Sequence, residues 1–189
     1  MAAFSYLSGL TSIVLALGLA RLLTGFGRSL QARRKVHFYW VQLVWAVNLF
    51  LYILLIWWIL FRWHTWNDWN YFLFLFLFAS PIVTFLQAVL LFPETIDDGT
   101  DLKAYFLNNR RSFFALGAML APLDALDTAL KGWDHLAAQG LIYILTIGLL
   151  FSLNVVAAFT ARERFHKFYA LFLLTYLMIF ITINLRVLT

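Results

Sequence analysis

Six apolar runs of about twenty residues, divided by short polar segments, constrain this chain more than any other feature. They fall at 4–26, 38–61, 71–92, 112–130, 136–160 and 168–188. A run of that length crosses a hydrocarbon core of about 30 Å as a helix, since only an internally hydrogen-bonded backbone is tolerated there. Little chain is left for anything else. The expected fold is therefore all-α: a polytopic membrane protein whose residues 1–189 form a single six-helix transmembrane domain with short loops. Composition agrees, with 63% apolar and 12% charged residues where soluble domains run near half and a quarter. The absence of cysteine removes disulfides, thiolate metal sites and cysteine nucleophiles.

Arg62 and the Asn67-Asp68 pair divide the second run from the third. The fourth run is the weakest, because Asp124 and Asp127 interrupt it. Residues 93–111 read as the longest connection, and its Asp97-Asp98-Gly99-Thr100-Asp101 stretch lacks the length and terminal Glu of a calcium loop. No basic residue precedes the first run, so a cleaved signal peptide is not expected.

Lysine and arginine set the orientation. With the N-terminus outside, inner loops carry Arg28, Arg33, Arg34, Lys35, Lys103, Arg110, Arg111, Arg162, Arg164 and Lys167, against Arg62, Lys131 and Arg186 outside. Both termini are expected on the outer or periplasmic side of a bacterial inner membrane, with anionic lipid at the basic face. Trp57, Trp58, Trp63, Trp66 and Trp69 cluster at the outer boundary, where amphipathic rings sit at headgroup level. Arg33-Arg34-Lys35-Val36-His37 and Arg162-Glu163-Arg164-Phe165-His166 share a basic-apolar-His order, as a parallel duplication would produce. Ordinary inner-loop composition explains the same order, and the similarity fades within the helices.

An ionisable side chain at membrane depth costs about 2.5–3.5 kcal/mol on insertion scales, so it marks a site by default. Asp124 and Asp127 share one face of the fourth span with Gly117, Ala121, Thr128 and Lys131, since residues three and four apart are neighbours on a helix. Pro122 frees a carbonyl beside them. This pattern predicts a cation or proton site opening outward. The competing structural account pairs Asp127 with Lys131 and Asp124 with Arg186.

Span three carries Ser80, Pro81, Thr84 and Gln87; with Asn154 of span five, Thr84 and Gln87 are expected to line a route inward. Pro81 and Pro122 are expected to bend their helices, the broken-helix signal of transporter sites. Arg21 lies inside the first span without an acid at its depth, and Gly18 and Gly25 leave room for its guanidinium. It is expected to reach Gln87, Asn154, Glu94 or Glu163, to snorkel to lipid phosphate, or to hold an anion.

His37, His64, His135 and His166 are all placed at the two interfaces. A haem or metal on His37 and His166 would have only two suitable ligands, so no cofactor is expected. No catalytic or phosphate-binding motif occurs, which argues against an enzyme, and the basic loops face lipid instead of nucleic acid. The functional expectation is conduction or transport of a small cation or of protons, by a homo-oligomer because six bulky helices leave little interior space. The alternative is a non-transporting scaffold, accessory subunit or lipid-binding sensor, supported by the unlined apolar run from Phe72 to Phe78.

Overall fold

The computed structural model describes residues 2–66 and 68–184, among which are six α-helices and no strand. They are α1 (Ala2–Gln31), α2 (Trp40–Leu60), α3 (Tyr71–Leu91), α4 (Leu102–Leu130), α5 (Trp133–Phe159) and α6 (Glu163–Asn184), with one 3₁₀ turn at Phe61–Trp63 after α2. All six helices are long and apolar enough to cross a membrane.

Local chemistry sets several ends. The Asn70 side chain accepts from the Leu73 N–H at 2.9 Å to start α3, and Asp101 accepts from Ala104 N–H at 2.9 Å to start α4. Gly132, at φ 122°, turns the chain directly from α4 into α5. The largest departure from expectation is α4, which begins at Leu102 instead of residue 112. Its first turns bury Leu102 and Phe106 one turn apart while Lys103, Asn108 and Arg111 face elsewhere. That pattern is amphipathic, so a search for continuous apolarity reads it as a loop. The actual connection is residues 92–101. For the same reason α6 starts at Glu163, ahead of the apolar run at 168.

The connections 32–39, 92–101 and 160–162 gather at one end, here the basic end. His37 N–H donates to Thr100 carbonyl at 3.0 Å, Leu102 N–H to His37 carbonyl at 3.2 Å, and Lys103 pairs with Glu163 at 2.6 Å. The turn at 61–66 and the α4–α5 turn lie at the opposite, tryptophan end. The two similar segments do not share a conformation: residues 32–39 form turns and an isolated bridge, whereas Glu163–His166 are helical.

Lipid is as apolar as leucine, so helices in a membrane associate through close packing and polar contacts. Both are visible. Gly18 of α1 lies against the Phe85 backbone of α3, and Gly25 against Phe92, so these glycines admit α3 and not the Arg21 guanidinium. The amide of Asn48 donates to Ala170 carbonyl at 3.0 Å, joining α2 to α6, and that of Gln87 to Phe113 carbonyl at 3.1 Å, joining α3 to α4. Helix α2 is the most buried and packs on α1, α3 and α6. Helix α5 packs extensively on α4 and scarcely on α6. The core is densest toward the basic end, where Trp45 meets Phe113, Phe114 and Tyr169 edge-on at ring distances of 5.4, 5.1 and 5.2 Å.

Candidate functional site

The two acids of the fourth apolar helix lie near the tryptophan end of α4 and have different surroundings. Asp127 is fully engaged: one oxygen accepts from the Trp63 indole at 3.0 Å and the other pairs with Lys131 at 2.5 Å. Lys131 also lies over the Trp63 ring, 5.1 Å from its centroid. The expected Asp127–Lys131 pair is therefore present. Trp63, grouped by its sequence with the headgroup-level tryptophans, is buried and serves this pair.

Asp124 makes no ion pair among the described residues. The expected partner, Arg186, lies outside them. The Tyr143 hydroxyl of α5 donates to the Asp124 carboxylate at 3.0 Å. It lies 2.7 Å from the hydroxyl of buried Thr128. A phenol has one proton, so with Tyr143 donating to Asp124, Thr128 donates to Tyr143. The result is a directional chain, Thr128 to Tyr143 to Asp124. The phenols of Tyr52 on α2 and Tyr176 on α6 also lie in electrostatic range of Asp124. Asp124 thus contacts α5 directly, with phenols of α2 and α6 within its field.

Tyr143 is absent from the sequence-based site. Its only signal is a phenol in an apolar run, at a spacing that shares a face with Leu150 and Asn154. Pro81 and Pro122 lie inside α3 and α4, and α5 carries a non-helical residue of its own at Gly140 (φ 72°, ψ −178°). Positive φ is accessible to glycine because it has no Cβ, so the break needs no proline. It lies one turn ahead of Tyr143, beside a shallow groove lined by Trp133, Leu136, Ala137, Leu141 and Ile144.

The polar residues expected to line a route partly converge. A Cβ on Gly117 would strike the side-chain oxygen of Asn154 and lie 3.0 Å from the side-chain nitrogen of Gln87, so α3, α4 and α5 meet there. The Asn154 side-chain N–H returns to the Leu150 carbonyl at 2.9 Å, and the buried Gln87 side-chain oxygen has no partner among the described residues. Thr84 turns back to Ser80 carbonyl at 2.8 Å on its own helix.

Arg21 does not reach Gln87, Asn154 or an acid. It donates to the carbonyls of Phe92 and Pro93 at 3.3 and 3.4 Å, and Arg28 donates to Glu94 carbonyl at 3.0 Å. Phe92 caps the C-terminus of α3 and Pro93 and Glu94 follow it, so both guanidinium groups sit near the end of the helix where the negative end of its dipole favours a cation. Arg21→Met is expected to destabilise the fold by about 1–2 kcal/mol, the lower range for charged hydrogen bonds because the side chain is partly exposed. Thermal unfolding in nanodiscs measures this, and an unchanged midpoint would remove the capping role.

The histidines differ in burial. His37 is exposed in its loop, whereas His166 is fully buried, one nitrogen 2.9 Å from Thr160 carbonyl. Among the described residues no group of three metal-ligating side chains occurs. No protein-family model, curated protein or solved structure matches this chain significantly.

Proposed function

We propose that this chain carries protons across a bacterial inner membrane, with Asp124 as the proton-binding group on the outer side. The observation that carries the reading is the Thr128–Tyr143–Asp124 hydrogen-bond chain: an acid in a membrane-spanning helix held by neutral hydroxyls instead of a cation. A metal cation needs several oxygen ligands at once, and both Asp127 oxygens are already engaged. A proton needs only one acceptor and one donor. Gln87 and Asn154, meeting at Gly117, supply polar groups further in.

The homo-oligomer belongs to the same proposal. Helix α5 is the least buried of the six spans, with Leu141, Ile142, Ile144, Leu145 and Phe159 exposed, and a second copy would cover it. The same face favours the competing reading, an accessory subunit covered by a different membrane protein. Purified protein in liposomes is expected to dissipate an imposed pH gradient. A wild type that leaves the gradient intact would end the conduction reading and favour the subunit.

Orientation is tested separately. Single cysteines replacing Arg34, Asp98 and Glu163 are expected to be labelled by an impermeant reagent only from the cytoplasmic side, and one replacing Asp134 only from the outside. Labelling of position 98 from outside would break the proposed topology.

A further inference from the structure

The proton reading uses the tryptophan-end half of the bundle, but the buried groups without partners concentrate in the other half. Nearly all buried polar atoms in folded proteins are hydrogen-bonded, so such a cluster is informative. Among the described residues, the Nδ1 of His166, the hydroxyls of Tyr39 and Tyr169, the indole N–H of Trp45 and the side-chain oxygen of Asn48 are all buried without a partner. One aromatic cluster links four of them. His166 stacks on Phe114 at 5.3 Å and meets Phe106 at 5.6 Å; Tyr39 meets Phe106 at 5.7 Å; Trp45 meets Phe114 and Tyr169 at 5.1 and 5.2 Å. Asn48 joins from α2 by donating to Ala170, one turn beyond His166.

The histidine tautomer follows from its single contact. A carbonyl only accepts, so the nitrogen 2.9 Å from Thr160 carbonyl carries the hydrogen, and Nδ1 holds a bare lone pair. Among the described residues no polar atom lies within hydrogen-bond distance of Nδ1, so its lone pair is free to take a proton.

We propose that His166 Nδ1 is a second proton-binding site, through which protons arriving from Asp124 leave on the basic side. The proposal rests on the conduction reading. The step transfers one proton: the Nδ1 lone pair takes it, and the same bond releases it to water on the basic side.

The ionisable groups around His166 are few. Arg110 on α4 is in electrostatic range. Glu163 and Lys167 lie on its own helix, with Glu163 held by Lys103 and Lys167 at 2.6 and 2.7 Å. Tyr39 ahead of α2 and Tyr169 are the phenols, and from the end of α5 comes only the Thr160 carbonyl.

Nitrogen-15 NMR of histidine-labelled wild type in nanodiscs tests the site without a variant. His166 Nδ1 is expected to change from a bare acceptor to a protonated nitrogen between about pH 8 and about pH 4. His166→Gln, confirmed as folded by gel filtration, is expected to reduce proton flux by more than about tenfold. Retention of one neutral tautomer over that pH range would overturn the inference. Undiminished flux in folded His166→Gln, with flux abolished in Asp124→Asn, would overturn it while leaving the conduction reading in place. If wild type carries no protons, conduction falls, and the route from Asp124 to His166 falls with it.

Discussion

Asp124→Asn is expected to yield folded protein whose proton flux in liposomes falls by more than about tenfold. Asparagine keeps the size of the side chain and still accepts from Tyr143, whose donor bond spans 3.0 Å, but it cannot take up and release a proton. Asp124 has no cation to strand among the described residues, so its neutralisation leaves no unpaired charge. Asp127→Asn is a contrasting control. It leaves Lys131, a side chain only 16% exposed, without its partner, and removing one member of a buried pair costs about 3–5 kcal/mol, less here because both groups are partly exposed. Reduced folded yield for Asp127→Asn and loss of flux at normal yield for Asp124→Asn would separate the two acids. Undiminished flux in well-folded Asp124→Asn would end the proposed role of that residue.

Gly25→Ala is expected to cost about 1–3 kcal/mol or more, because the added methyl overpacks a closed interface. Its Cβ would lie 2.5 Å from Phe92 Cγ and 2.8 Å from Phe92 Cβ, and Phe92 is fully buried at the end of α3. The nearest atoms lie close to the Phe92 backbone, so a rotamer change alone does not relieve the contact. Gly27→Ala, two residues along the same helix, meets nothing within 4 Å and is expected to be neutral or slightly stabilising. Unfolding of the two variants side by side in one detergent measures the difference. Equal stability would mean that α1 and α3 do not approach at Gly25 as described.

The six helices were legible because membrane-spanning length and apolarity are properties of contiguous residues, which a sequence displays directly. The Asp127–Lys131 pair was legible for the same reason: residues four apart on a helix are neighbours whatever surrounds it. Helix ends that depend on amphipathicity were less so. The first turns of α4 and α6 carry charge on one face and bury Phe106 and His166 on the other, and averaged hydropathy conceals both.

The remainder needed the third dimension. Tyr143 comes to Asp124, Trp63 to Asp127, and the carbonyls of Phe92 and Pro93 to Arg21, each across a sequence separation that local spacing does not encode. The break at Gly140 depends on a backbone conformation that glycine permits but does not demand, so the sequence shows only a glycine in an apolar run. His166 becomes a core residue because α4 supplies Phe106 and Phe114 against its ring. Local order along the chain determined which segments are helices long and apolar enough to span. The packing of those helices decided which polar groups meet, since a hydrogen bond between helices depends on the distance between two faces and not on the residues along either one.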